Sequence, residues 1–584
     1  MVGEWLAAKR IVLVIVLSIL LLALPTTQIV FESTAQEEKI VFVYGTTGAV
    51  NFNPLTGMSY LMYRGILWTT LYIYNETWGI EPWAAEYARR IDNLTWEIKL
   101  RDDLYWHDGE PVTAEDYKFT WDLLLKYPTA QTRFLKAVEN ITVVSEKVFR
   151  VRVKYPAGGY APFLTGVCVP VPKHIWEEKG LTNESVLAYD NIPPIGMGPF
   201  KFVEYKPGEY IKFEAFDKFF AGRPKIDILI VKLFESTESM IAALKAGEVD
   251  AVDGVPPTAA LKLTADPNIR VHTSTTPGYR SIYINQYPQP KAGHPALDNL
   301  TVRTAIAMCI DKEAINDLIH PNFEIGYTPI NPKWPEFNSK VKDLWPKFNT
   351  TAAAELLESA GYKDTDGDGI REDPQSGKPL KFRMVVYLGL AEEMRSAELI
   401  REWFREAGMD LEIKGMEAGV WSMVVSDPHD YDFVLWAWTV HDPISCWYPY
   451  TSDAIEAGWS SSGYHSSEFD QLYQSLLEAT DYDEYIAAQH ALQEHFVKNI
   501  VEIVLYHGAN SGAWRAEWEG VIPEPVHFGW YGYNAKAFLY IHPAEEEVPS
   551  PGAFPMWVWG VVAASVVITV IVIVAAAWII KKKK

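Results

Sequence analysis

The apolar residues of this chain fall into short dense runs, separated by turn residues and by stretches with a helical period. The densest run is YDFVLWAW, residues 431–438, in which Asp432 is the one charged residue. A strand with one wet face alternates polar and apolar positions. This run does not, so it predicts a strand buried on both faces. Alternation along a strand puts Val434, Trp436 and Trp438 on one face and Phe433, Leu435 and Ala437 on the other. KIVFVY (39–44), LTWEIKLRDDLYW (94–106), IDILIVKLF (226–234), EVDAV (248–252), KFRMVVYL (381–388) and MDLEIKGM (409–416) predict further strands. Helical patterns fill 235–247 and 392–407, and Gly247 and Gly408 stand where a left-handed C′ glycine would end each helix. Strand–helix–strand thus occurs twice, which predicts parallel pairs and an α/β class. Near residue 107 the run HDGEPVTAEDYKFTWDLLLKY reads as a turn, an N-cap at Thr113 with Glu115 and Asp116 in the first turn, and a helix with Tyr117, Trp121, Leu124 and Leu125 as its stripe. That segment reads as a structural staple.

The two ends carry different patterns. Lys9 and Arg10 precede an apolar run over 11–24, and Ser33 and Ala35 stand before a cut ahead of Gln36, which is a secretory signal pattern. Residues 556–580 hold no charge, and at about 1.5 Å per residue such a run can span a bilayer. The lysines at 581–584 are then cytosolic by the positive-inside rule. Both ends predict that residues 36–550 lie outside the cell, with PAEEEVPSPGAFP (543–555) as a stalk.

Composition narrows the function. A length of 584 residues suggests roughly two to four domains. A net charge of −23, with no basic patch outside the ends, excludes a nucleic-acid partner. Three cysteines (Cys168, Cys309, Cys446) allow one disulfide at most and match no metal spacing. Six glycosylation sequons, at Asn75, Asn93, Asn140, Asn183, Asn299 and Asn349, fit an exported surface.

Catalytic signatures are missing. There is no Gly-x-Ser-x-Gly, no His-Glu-x-x-His, and GTTGAV (45–50) lacks the lysine of a phosphate loop. Carboxylate pairs are a spatial property, so a surface glycoside hydrolase stays as a remote alternative. DTDGDGIRED (364–373) reads first as an acidic turn. The alternative is a structural calcium ion on Asp364, Asp366 and Asp368, with Gln375 standing where such a loop needs a bidentate glutamate.

Six segments in order carry a family resemblance: LRDDLYWHDGEPVTAEDYKFTWD (100–122), IPPIGMGPFKFVEY (192–205), ALKAGEVDAV (243–252), PALDNLTVRTAIAMCIDKEAI (295–315), AAELLESAGYKDTDGDGIRED (353–373) and SSGYHSSEFDQL (461–472). Together they resemble the family 5, dipeptide- and oligopeptide-type, extracytoplasmic solute-binding proteins of ABC importers. The resemblance implies a two-lobed periplasmic-binding-protein-like α/β fold. Its parts would be a signal peptide (1–35), a discontinuous first lobe (36–80, 191–275 and 506–542), an extra subdomain (81–190), a second lobe (276–505), the stalk (543–555), a transmembrane helix (556–580) and a cytosolic tail (581–584). Ligand would lie between the lobes, which close by a hinge.

In peptide binders of this family an acidic residue after the late Trp-bearing strand pairs with the ligand's α-amino group. Here that place holds Val440 or His441, and Asp442 directly precedes Pro443. Flat rings on Trp436, Trp438, Trp447 and Tyr448 would suit aromatic side chains or the apolar faces of sugars. In PGYRSIYINQ (277–286), near the implied lobe crossing, Tyr283 and Asn285 face either the cleft or the sheet. Arg303 matches a motif arginine and is expected to pair with a carboxylate. With the membrane anchor read from the C-terminal run, the resemblance implies a membrane-anchored, monomeric, non-enzymatic receptor. It would capture an oligopeptide, or alternatively an oligosaccharide, and deliver it to a permease with a separate ATPase. No cofactor is expected beyond the calcium alternative.

Overall fold

The computed structural model describes residues 39–544 and Lys582, apart from 48–49, 57–64, 76–79, 130–131, 133–134, 136, 157–168, 288–292, 320–322, 427–428, 440–442, 461 and 522–535. The chain divides into units Met1–Lys39 and Ile40–Lys584, and the fold below is that of the second.

Its first half contains β1 (Val41–Thr46), β2 (Ala85–Asp92), β3 (Thr95–Leu100), α1 (Ala114–Lys126), β4 (Val138–Ser145), β5 (Val148–Val153), β6 (Phe200–Lys206), β7 (Tyr210–Ala215), β8 (Ile228–Leu233), α2 (Thr237–Ala246), β9 (Ala251–Val255) and β10 (Ile269–Ile284). The second half contains α3 (Leu300–Met308), α4 (Lys312–Ile319), β11 (Lys381–Tyr387), α5 (Ala391–Glu406), β12 (Asp410–Met416), α6 (Ala418–Ser426), β13 (Phe433–Thr439), α7 (Ser467–Glu478), α8 (Tyr482–Lys498) and β14 (Glu502–Arg515). The large sheet runs β12-β11-β13-β10-β14-β9-β1-β8-β7-β6. A second sheet, β2-β3-β5-β4, is antiparallel throughout.

Local signals explain the elements. At α1, the Asp116 carboxylate accepts from both the N–H and the hydroxyl of Thr113, closing the first turn. Gly247 and Gly408 have φ of 75° and 76°, the left-handed region that stops α2 and α5 without a Cβ clash. α2 links β8 to β9 across β1, which pairs in parallel with both. α5 links β11 to its parallel neighbour β12. Phe404 of α5 meets Phe382 and Phe433 edge-on, which fixes the helix against that part of the sheet. The lone acid of the apolar run is also accounted for. Asp432 accepts from the backbone N–H groups of His294 and Arg383 and from the Arg383 guanidinium, so its buried charge is fully partnered.

β10 and β14 are 16 and 14 residues long and connect the two halves of the sheet. Residues 269–275 pair with 509–515 beside β9, and residues 278–284 pair with β13. Between these zones the register breaks, between Thr275 and Tyr279. The break brings Thr276 close to Gly508, where a Cβ would lie 2.9 Å from the threonine hydroxyl. Asn331 pins it, donating to the Thr275 hydroxyl at 3.0 Å and the Thr276 carbonyl at 2.8 Å.

Two of the matching segments dock on each other. The His107 N–H donates to the Gly196 carbonyl, Gly196 N–H donates to His107 Nδ1 at 3.2 Å, and His107 Nε2 donates to the Gly198 carbonyl at 3.0 Å. A Cβ on either glycine would overlap the backbone of residues 66–67. Arg303 is structural, but its partners correct the expectation of a carboxylate. The guanidinium donates to the carbonyls of Leu297, Asp298 and Asn499, tying α3 to the end of α8.

The expected fold class also needs correction at its end. Among the described residues no helix is long and apolar enough to cross a membrane, and 556–580 lie outside them. The described residues thus form an α/β body, and the expected helix is not among them. The signal segment, the stalk from 545 on and the tail apart from Lys582 likewise lie outside the described residues, while Pro543 at the start of the stalk pairs with Trp518. Of the cysteines, Cys309 and Cys446 are buried and in no disulfide among the described residues, and Cys168 lies outside them.

Candidate functional site

The end of β13 beside the β10–β14 crossing gathers the ring-bearing residues. Direct cross-strand pairing sets Trp438 against Tyr279, Trp436 against Ser281 and Val434 against Tyr283, so all six share one face. α6 lies over that face. Its Trp421 stacks on Trp436 with centroids 4.4 Å apart and planes 20° from parallel. Trp438 follows at 6.5 Å and 36° from Trp436, and Tyr387, from the end of β11, lies 5.9 Å from Trp421. The four rings form a half-buried row. α6 also leaves Val420 and Met423 at 52% and 67% exposure, an unusually apolar outer surface for a helix.

Behind the row lies a buried polar cluster. The Tyr450 hydroxyl donates to Glu502 at 2.5 Å, and the hydroxyls of Tyr279 and Tyr450 are 3.1 Å apart. Burial pushes the Glu502 carboxyl up to about 8, so it is protonated at neutral pH. On the opposite face of β10, Arg280 pairs at 3.1 Å with Glu393 in the first turn of α5. Burial outweighs that cation and pushes the Glu393 carboxyl up to about 7. In the first lobe, Asp253 takes hydrogen bonds from Asn510 and the Gly254 N–H, and burial raises it to about 7.

Trp436 and Trp438 are in the row, and Tyr448 is half-buried on the short 3-10 helix Ser445–Tyr450. His441 and Asp442 lie outside the described residues. The other three are turned inward. Trp447 is fully buried with its indole N–H on Gln489 at 2.8 Å. Tyr283 is 3% exposed and sits opposite Glu502. Asn285 is 1% exposed, and its amide donates to the carbonyls of His429 and Tyr431. In this conformation these three face the core. Sequence reasoning did not single out Trp421 or Tyr387. The signal was AGVWSMVVS itself, an apolar helix with no polar face to turn to water.

The acidic loop brings Asp364, Asp366 and Asp368 together with Glu372, with ligand oxygens all within 4.8 Å of one another. Glu372, and not Gln375, is the residue that joins the three aspartates. The carboxylates also serve the turn. Asp364 accepts from the N–H groups of Gly367 and Gly369, Asp368 from that of Ile370, and Glu372 from Thr365. Asp368 also pairs with Lys381 at 3.1 Å.

Residues 79–457 match the family described as "Bacterial extracellular solute-binding proteins, family 5 Middle". The chain belongs to this family. Oligopeptide-binding protein AppA of Bacillus subtilis is 25% identical over 489 residues, 82% of this chain and 85% of that one. The nickel-binding periplasmic protein of Escherichia coli is 22% identical over 64% of this chain and 71% of its own. Among solved structures, AppA with a nonapeptide superposes with a TM-score of 0.65 at 23% identity, over 86% of this chain and 99% of that one. A periplasmic oligopeptide-binding protein of Thermotoga maritima gives a TM-score of 0.73 at 23% identity, over 87% of this chain and 100% of that one. These likenesses establish the two-lobed family 5 fold. The family 5 relatives are solute-binding proteins and not enzymes, and so is this chain; their place is extracytoplasmic.

Proposed function

We propose that this family 5 protein captures an oligopeptide between its lobes and delivers it to an ABC permease, whose separate subunit hydrolyses ATP. The observation that carries this reading is the row Tyr387–Trp421–Trp436–Trp438 beside the β10–β14 crossing. Rings held in that order give area for apolar or aromatic side chains at low entropy cost. Tyr448, with His441 and Asp442 just past the strand, completes the set we assign to the ligand. The register break at Thr276 and Gly508 is the proposed hinge, because two strands with interrupted pairing bend there at least cost. A second reading, an oligosaccharide ligand, is favoured by the half-buried Trp438 ring at the end of the row, since a flat indole also takes the apolar face of a sugar. We further propose that the Asp364–Asp366–Asp368–Glu372 cluster takes a structural calcium ion.

Native mass spectrometry on gently purified protein separates the ligand readings. Co-purified peptide masses are the expected result. A hexose ladder would replace the peptide with a sugar, and a nickel complex would overturn both.

A further inference from the structure

We propose that Asn93 and Asn140 carry N-linked glycans that shield the two edge strands of the small sheet. The proposal rests on the extracytoplasmic reading, because sequons are modified only on exported protein. The six sequons differ in what their asparagines do in the fold. Asn183 and Asn349 cap helices, their side chains accepting from Ser185 and Ala352. Asn299 caps α3 and also gives its amide to the Tyr362 hydroxyl at 3.3 Å. Asn75 has a partner of its own within the protein. Asn93 and Asn140 are exposed, and their side chains have no hydrogen-bond partner among the described residues.

Their positions are specific. Asn93 is at the tip of the β2–β3 hairpin. Asn140 lies on β4, where the pairing row Thr95–Arg152–Asn140 puts it on the outer face, away from Ile98, Phe149 and Val151. β2 and β4 are the two edge strands of this sheet. Each carries an exposed apolar side chain, Ile91 at 42% and Val144 at 49%. The first half of β2 is already covered, the Ala85 and Ala88 N–H groups donating to the Leu71 carbonyl and the Tyr72 hydroxyl. Where an edge is open beside an exposed apolar side chain it is a template for pairing with another chain, and a bulky solvated group there blocks that approach. A glycan on Asn93 stands two residues from Ile91, and one on Asn140 four residues from Val144. Neither modification displaces a hydrogen bond.

The test uses the full chain in its own cells. Intact cells are labelled with a membrane-impermeant amine reagent, the protein is purified, and its peptides are mapped by mass spectrometry. The expected result is a surface-labelled protein with glycopeptides spanning Asn93 and Asn140, each lost in N93Q or N140Q. Labelled protein with both asparagines unmodified overturns the glycan proposal and leaves the extracytoplasmic reading standing. Unlabelled protein overturns that reading and the proposal with it. Enzymatic removal of the glycans should raise self-association in light scattering while ligand binding is retained. Unchanged scattering overturns the shielding role.

Discussion

The indole rings of Trp421 and Trp436 lie face to face, 4.4 Å apart, one from a helix and one from the strand beneath it. The stack makes Trp436 part of the packing and leaves Trp438, the next ring along, as the end of the row nearest the crossing strands. The two positions therefore differ in what their loss should cost.

Trp438→Ala should weaken ligand binding about tenfold, or ~1.4 kcal/mol, with little change in melting temperature. Trp436→Ala removes an inter-element stack and should cost about 2 kcal/mol of folding stability. Isothermal titration with the co-purified ligand, alongside urea unfolding, checks both. Unchanged affinity in Trp438→Ala would show that ring to be packing only.

Gly196→Ala and Gly198→Ala should each cost about 3 kcal/mol or more, because the added Cβ overlaps rigid backbone at residues 66–67 rather than a movable side chain. Gly222→Ala is the comparison for the loss of a glycine where nothing lies within 4 Å. It has φ of 99° and should show only the smaller strain of a positive φ. Chemical denaturation reads the difference.

Stability should fall as pH rises from about 6.5 to 8. Glu502 holds its proton to about 8 in the folded state, well above its ordinary value of 4.5. Between those values the unfolded chain binds fewer protons, so its stability contribution is present at low pH and lost as pH rises, at no more than about 1.4 kcal/mol per pH unit. His107 and His507 act in the opposite sense. Burial lowers them to about 4 and about 3, so their contribution is lost as pH falls below about 6.5. Above 6.5 the buried Glu393 and Asp253 carboxyls, each raised to about 7, add to the same fall. Denaturant midpoints at pH 6.5 and 8 should differ in the wild type, and the difference should shrink in Glu502→Gln. An equal difference in the variant would place the effect elsewhere.

Calcium should raise the melting temperature and EDTA should lower it, with both effects lost when Asp364 and Asp366 are changed to Asn. Differential scanning calorimetry decides. Unchanged melting with EDTA would leave the loop as a plain acidic turn, already satisfied by its own N–H groups.

Much of the frame was legible because it is local. The caps at Thr113, Gly247 and Gly408, the strand at 433–439 and the two strand–helix–strand units follow from periods of two and 3.6 residues and from glycine's access to positive φ. The site was legible only in part. Trp436 and Trp438 were placed by alternation, which fixes which residues share a face but not what covers that face.

The sequence alone determined an α/β chain of the family 5 type, its buried strand at 431–438, its lone Asp432 and its acidic loop. The tertiary structure alone decided that Trp447 turns to Gln489, that Tyr283 sits on Glu502, and that Asn285 ties down His429 and Tyr431. It also decided that Trp421 joins the row and that Glu372 joins the three aspartates. The physical reason is the same throughout. Secondary structure is set by neighbours within about a helical turn, whereas burial is set by whichever distant element packs on top.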